Sequence, residues 1–180
     1  MVRAPFHEAA EVDYDIVIEP KMSFGTGHHE TTHMMLQHIL DNDFEGKSVL
    51  DMGCGTGVLA ILAKKRGAGD VEAIDIDEWC FLNTQENIER NNCSDIKAYQ
   101  GDSSLLEGKK FDVILANINR NILLEDIPVY ANSLKKGGVL FLSGFYLEDL
   151  DAISSKCNAY GLEFEKNLEK NNWVSAKYVN

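Results

Sequence analysis

No apolar run in the 180 residues approaches the length of a bilayer crossing, which argues against a helical membrane protein. The opening "MVRAPFHEAAEVDY" lacks an apolar stretch of the length a secretory signal needs. Positive charge is scarce: 17 Lys and Arg stand against 29 Asp and Glu, a net −12 at pH 7. A general grip on nucleic acid needs the opposite balance, so direct nucleic-acid binding is not expected. A basic protein partner or a cationic ligand suits this charge. The four cysteines, Cys54, Cys80, Cys93 and Cys157, form no C-x-x-C pair. They read as reduced thiols of a cytoplasmic protein.

What is present is an ordinary globular composition, 44% hydrophobic and 26% charged, long enough for one domain with a core. The first 23 residues are weakly patterned, with "YDIVIEP" as a short strand ended by Pro20. A helix is expected from about Thr31 to Leu40, its apolar side carrying Met34, Met35, Ile39 and Leu40. Strands then alternate with helices. Strands are predicted at 48–52, 71–77, 96–102, 111–118 and 139–144, and helices at 58–67, 78–92, about 121–134 and 147–161. Asp77 is placed to cap the helix that starts at Glu78. The basic run Lys64-Lys65-Arg66 reads as a solvated helix end that suits the macrodipole. Near-continuous apolar strands separated by helices predict an α/β fold, a doubly wound, mostly parallel sheet covered on both faces. The closing hairpin, with "EKNN" near its turn, cannot extend a parallel order without a crossover. It is expected to insert one antiparallel strand near the C-terminus.

The strand at 48–52 runs into Asp51-Met52-Gly53-Cys54-Gly55-Thr56-Gly57 and then a helix. Glycines allow a tight turn and close backbone approach to a ligand at the carboxyl end of a strand. Dinucleotide binders space them G-x-G-x-x-G. Here the third glycine comes one residue early, and Asp51 precedes the loop. A carboxylate there repels a pyrophosphate and can hold an ammonium. S-adenosyl-L-methionine therefore fits Asp51, Gly53 and Gly55 better than NAD does. Asp75 closes the next strand, where a carboxylate can accept both ribose hydroxyls. Asp102 ends the third strand, within reach of an adenine amine, or is a plain turn residue. Asn117 ends the fourth, beside the reacting methyl, or is a plain strand-end cap.

A competing motif lies just upstream. "GHHETTHMM" contains His29-Glu30-Thr31-Thr32-His33, the H-E-x-x-H of zinc peptidases. Such a site needs a third ligand, and no histidine follows His38. The motif without its context reads as chance, and no metal is expected. His28 and His33 read as local, and His38 as a surface or partly buried helix residue. Trp79 is placed either by the adenine edge or in ordinary core packing.

"VLDMGCGTGVLAILAKKRGA", "AIDID", "FDVILANI" and "LKKGGVLFLSG" resemble class I S-adenosylmethionine-dependent methyltransferases with their Rossmann-like sheet. "EPKMSFGTGHHETT" narrows the resemblance to the ribosomal protein L11 methyltransferase family, over about residues 12 to 179. The resemblance implies cofactor positions at Thr32, Gly53, Asp75 and Asn117. It places Phe24, Gly25 and Thr26 on a loop folded over the cofactor, with His29 as that loop's histidine. It implies transfer of methyl to lysine or N-terminal amines of a large-subunit ribosomal protein. Asn117-Ile118-Asn119-Arg120 departs from the N-P-P-[YF] of enzymes that methylate amide or base nitrogens, which favours an aliphatic amine. Asn117 is the catalytic candidate, its carbonyl holding the amine. The resemblance also implies an additional N-terminal substrate-recognition domain, for which this chain has no room. Residues 1–23 are expected to be a linker remnant with a short strand, and 24–180 the catalytic domain. A methyltransferase with another substrate, an NAD enzyme and a non-enzymatic domain of this fold are the other readings.

Overall fold

The fold comes from a computed structural model, which describes residues 1–9, 11–19, 21, 25 and 27–180. Two short strands, β1 (Val2–Arg3) and β2 (Ile16–Val17), pair in parallel. There follow α1 (Glu30–Asp41), β3 (Val49–Met52), α2 (Val58–Lys65), β4 (Val71–Asp75), α3 (Glu78–Arg90) and β5 (Lys97–Gln100). Then come β6 (Phe111–Asn117), α4 (Arg120–Ser133), β7 (Leu134–Tyr146), α5 (Leu150–Ala159), β8 (Glu163–Lys170) and β9 (Trp173–Val179). The main sheet has the order β5-β4-β3-β6-β7-β9-β8. Its first five strands pair in parallel, and β9 runs against both β7 and β8. Among the described residues β9 is thus the one reversed strand, in the place the hairpin argument required.

The continuous apolar strands divide residue by residue between two layers. On β6, Val113 and Leu115 face a cluster with Met35 and Ile39 of α1, Ile61 of α2 and Ile88 of α3. Ile114 and Ala116 face a second cluster with Leu123, Ile127 and Tyr130 of α4 and Ile153 of α5. Three helices therefore cover one face and two the other. The parallel register sets the ends of β3, β4 and β6 side by side, with Met52 opposite Ile74 and Ala116. Loops leaving these ends open on one rim of the sheet.

Several boundaries differ from the sequence reading. Helix α1 begins at Glu30, because the His29 imidazole accepts the Thr31 N–H and caps it. Strand β7 starts at Leu134, since Leu134 already pairs with Phe111 and Gly137 donates to the Asn180 carbonyl. The β8–β9 turn is a two-residue connection of Asn171 and Asn172, at φ 50° and 66°. Positive φ at both positions marks the turn whose twist suits a hairpin, and Asn tolerates it. The basic run is not simply solvated. Lys64 donates to the Ala68 and Gly69 carbonyls and pairs with Asp95 at 2.6 Å. Arg66 reaches the Leu40 and Asn42 carbonyls and the Tyr14 hydroxyl. These bonds tie α2's end to the chain before β3 and β4.

Pro20, the expected end of the "YDIVIEP" strand, lies outside the described residues. The stretch before it is held by α3. Asn91 brackets Val17, accepting its N–H at 2.9 Å and donating to its carbonyl at 2.7 Å. One helical turn on, Asn87 accepts the Glu19 N–H at 3.0 Å. Ile16 and Ile18 are consequently buried in the first cluster. No helix among the described residues is long and apolar enough to cross a membrane.

His38 is fully buried, where the sequence reading left it at the surface or partly buried. It packs on Phe141, with ring centres 4.9 Å apart, and its Nε2 lies 3.4 Å from the Ser175 carbonyl. Burial lowers its pKa below 6.5, while Ser175 opposes that shift. The folded state therefore resists a proton that the unfolded chain accepts near about 6.5. The stability of the neutral form is present above that pH and declines below it. His38→Gln should flatten the loss of stability between about pH 6.5 and 5, as followed by urea unfolding. An unchanged slope would mean that His38 is not the titrating group.

Candidate functional site

Strand β3 delivers Asp51 and then the loop Gly53-Cys54-Gly55-Thr56-Gly57 into α2. The three loop glycines all have positive φ, 68°, 57° and 76°. Gly57 is the tightest: a Cβ there would lie 2.9 Å from the Thr84 methyl. Gly57 also stands at the N-cap of α2, where it has no side chain to offer. Asp51 supplies the missing cap from the strand, its Oδ2 accepting the Ala60 N–H at 3.0 Å. The carboxyl is 1% exposed, and burial pushes its pKa up to about 7 against the pull of the Ala60 N–H. The same burial raises the Cys54 thiol well above its usual range.

Asp75, at the end of β4, holds the loop from the other side. One carboxylate oxygen accepts the Gly55 N–H at 2.9 Å and the other the Asp77 N–H at 3.0 Å. A carboxylate has about four acceptor positions, so each oxygen keeps room for one more donor. Asp77 in turn caps α3 through the Trp79 N–H, as its sequence position implied. From α3, Thr84 donates to the Gly55 carbonyl and Asn87 to the Thr56 carbonyl. Gly55 and Thr56 are thus fixed by side chains of neighbouring elements, and Gly53 and Cys54 by the Ile74 carbonyl.

These elements enclose a cavity of about 390 Å³ at the carboxyl rim of the sheet. Of the residues singled out in the sequence, His29, Gly53, Gly55, Asp75, Asp102 and Asn117 line it. Asp102 is exposed, and its carboxylate caps the short turn Ser103–Leu106 by accepting the Ser104 N–H. Those bonds hold its pKa below the ordinary value. Asn117 leaves β6 with its Nδ2 3.4 Å from Thr32 Oγ1, while its Oδ1 is buried and accepts no hydrogen bond from the described residues. Thr32 and Asp51 are 1% exposed and stand behind the lining. Gly25 does not line it either; its carbonyl accepts from Thr56 Oγ1 at 2.6 Å, beside the loop. Phe24 and Thr26 lie outside the described residues.

Sequence reasoning passed over several residues of the wall: Ile76, Asn119, Ile122, Asp126, Gly144 and Trp173. Gly144 carried a signal, a glycine inside a strand, which marks a bulge or a close backbone approach. It sits at the β7 irregularity with φ 97°, and a Cβ there would fall 2.1 Å from the Ile118 carbonyl oxygen. Trp173 arrives from the C-terminal hairpin and meets the His29 ring at 5.0 Å and the Tyr146 ring at 4.1 Å. Only the strand order brings it there. Trp79 is 69% exposed and belongs to neither place considered for it, cavity or core.

The two histidines of the H-E-x-x-H string part company. His29 lines the cavity at the sheet rim, whereas His33 lines another with Leu36, Leu40 and Leu62. Glu30 accepts from Asn171 across the hairpin turn. Among the described residues no three His, Cys, Asp or Glu side chains gather as a metal site would require.

The model of the ribosomal protein L11 methyltransferase (PrmA) family matches residues 2–180, nearly the whole chain. The chain belongs to that family. It is 51% identical over 181 residues to a ribosomal protein L11 methyltransferase of Bacteroides fragilis, covering 99% of this chain and 65% of that one. The corresponding Acetivibrio thermocellus protein is 37% identical over 168 residues, 91% of this chain and 53% of its own. The chain thus spans less than two thirds of these L11 methyltransferases. A crystal structure of a ribosomal protein L11 methylase from Lactobacillus delbrueckii superposes with a TM-score of 0.87 at 28% identity, covering 97% of this chain and 90% of that one. A methyltransferase from Pyrococcus furiosus shares the fold, with a TM-score of 0.71 at 20% identity.

The buried Asp51 carboxyl couples the stability of this loop to pH. Its folded pKa of about 7 stands above the unfolded value near about 3.9. Stability is therefore full below that unfolded value and falls as pH rises through 7, by up to about 4 kcal/mol. Asp51→Asn, in the ligand-free chain, should lose much of this decline between about pH 4 and 7 in denaturant titrations. A variant with the wild-type slope would show that Asp51 is already ionised in the fold.

Proposed function

We infer that this chain is the catalytic part of a ribosomal protein L11 methyltransferase. It takes S-adenosyl-L-methionine as methyl donor and lysine or N-terminal amines of the ribosomal protein as acceptors. The observation that carries the reading is the buried Asn117 carbonyl, which accepts no hydrogen bond from the described residues, in the same wall as the Asp75-pinned glycine loop. The residues present fit the donor. Asp75 keeps acceptor positions for two ribose hydroxyls, with Ile76 and Asp102 beside it for the base. Gly53 and Gly55 bring bare backbone close, and Asp51 sets negative potential behind them once ionised.

When bound, the donor supplies a sulfonium methyl: the amine lone pair forms the N–C bond while the S–C electrons remain on sulfur. The chain's own work is placement. Holding both reactants in line can lower the barrier by roughly 7–11 kcal/mol. The amine must arrive neutral, although free lysine titrates near about 10.4. The apolar wall of Met52, Ile118 and Ile122 disfavours its charged form. The Asn117 carbonyl accepts an amine N–H, and after transfer the new ammonium loses its proton to water. No aromatic residue follows Asn117 to stack a planar base, and the chain's net charge of −12 suits a basic protein rather than nucleic acid. We place recognition of the ribosomal protein in the additional length of the relatives, and the reaction in the cytoplasm where ribosomal proteins are made.

Calorimetric titration with S-adenosylhomocysteine tests the donor site. The chain should bind it, and Asp75→Ala should weaken binding by about tenfold or more, the value of lost hydrogen bonds to a charged group. Unchanged binding by that variant would contradict the ribose assignment. Mass spectrometry of the ribosomal protein after incubation with donor and enzyme tests the acceptor, and unmodified amines with the full-length relative would sink it.

A further inference from the structure

Strand β2 and the residues after it use their two edges differently. Alternate residues of an extended chain present N–H and carbonyl to the same side. Ile16 and Ile18 donate to the Met1 and Arg3 carbonyls on the β1 edge. Val17 and Glu19 face α3 instead, where Asn91 brackets Val17 and Asn87 accepts the Glu19 N–H. The helix partner thus steps back four residues for every two of the chain. The lengths agree: two extended residues cover about 6.6 Å and four helical ones about 6 Å. Ion pairs keep the same step, Glu19 with Arg90 at 3.0 Å and Lys21 with Glu86 at 2.8 Å. The next pair in this series is Lys21 with Asn83. Pro20, before Lys21 in the sequence, has no N–H that would need a partner.

That rung is open. Asn83 is 1% exposed, and neither its Nδ2 nor its Oδ1 has a hydrogen-bond partner among the described residues. A buried amide in that state is unfavourable, and it offers a place for one N–H and one carbonyl. The Lys21 N–H is held by the Glu19 carbonyl at 2.9 Å, in a turn across three residues. Straightening that turn returns the N–H to the α3 edge. We propose that Asn83 is the third rung of this ladder: its Oδ1 takes the Lys21 N–H from the Glu19 carbonyl, and its Nδ2 donates to the Lys21 carbonyl, the bracket that Asn91 makes on Val17. The rung stands beside the cavity. Cys80, one turn earlier on α3, lines it, and Asn87, one turn later, donates to the Thr56 carbonyl of the glycine loop. Thr56 in turn donates to the carbonyl of Gly25, four residues past Lys21. Closing the rung braces the glycine loop from both sides, and a donor resting on that loop favours the closed form. By linkage, closure raises donor affinity by the same factor. This coupling rests on the methyl-transfer reading above; the rung itself does not.

Two variants test the rung. Asn83→Leu keeps the number and branching of the side-chain heavy atoms and removes both polar ones, and Asn83→Ala removes them without bulk. In the 180-residue chain Asn83→Leu should unfold at a urea midpoint no lower than wild type, yet bind S-adenosylhomocysteine about tenfold more weakly, the value of two modest hydrogen bonds. A residue that merely holds the fold would lower both. Nuclear magnetic resonance reads the rung directly. Relaxation dispersion at the Lys21 amide of the free chain should report exchange with a minor closed state in wild type and none in either variant. Saturating S-adenosylhomocysteine should quench that exchange and bring a cross-relaxation peak between the Lys21 N–H and the Asn83 side-chain amide. Identical dispersion in wild type and both variants overturns the proposal, as does wild-type S-adenosylhomocysteine affinity in both variants. If the wild type binds no S-adenosylhomocysteine, the functional reading fails, and the dispersion of the free chain alone decides the rung: exchange confined to wild type upholds it, and any other pattern refutes it.

Discussion

Two carboxylates at adjacent strand ends fix the backbone on which the site is built. Asp51 accepts from Ala60 and Asp75 from Gly55, so the loop between β3 and α2 is held at its helix and at its crest. The loop needs this support. All three of its glycines take left-handed conformations, and Gly57 has no side chain with which to cap α2. Packing against Thr84 and Asn87 completes the restraint. The parallel register then brings Asn117 beside the loop from β6. One of the two carboxylates faces the cavity and the other is buried behind it. The polarity of the site and the stability of its scaffold are therefore set by the same pair.

Much of this was legible in the sequence because it is local. Runs such as "FDVILAN" are too apolar to be covered on one side only, which makes a parallel sheet with helices on both faces. The glycine spacing and the acidic and amide residues at strand ends specify a rim rather than a core. Gly53, Gly55, Asp75, Asp102 and Asn117 do share one wall. What could not be read is what depends on strand order or helix packing. Trp173 reaches the cavity only because β9 inserts between β7 and β8. His38 is buried because α1 lies against β7 and β9, which no periodicity within α1 records. Lys64 and Arg66 look like a solvated basic run until the carbonyls they reach are in place.

The H-E-x-x-H string shows the same limit from the other side. Its spacing suits a helix, and His33 does lie on one. His29, however, is the cap rather than a member of that helix, and the two imidazoles border different cavities. A short pattern acquires chemistry only through the elements that surround it. Here those elements turn His29 toward Trp173 and turn Glu30 toward Asn171.

The central claim is spatial: a donor's nucleoside is held at the Asp75 rim so that its sulfur faces Asn117. A crystal structure of the chain with S-adenosylhomocysteine decides it. The account predicts ribose hydroxyls on the Asp75 carboxylate and the sulfur turned toward the Asn117 amide, with room between them for a methyl group and an amine. Density for the ligand in the other cavity, beside His33 and Leu36, with the Asp75 carboxylate untouched, would contradict it.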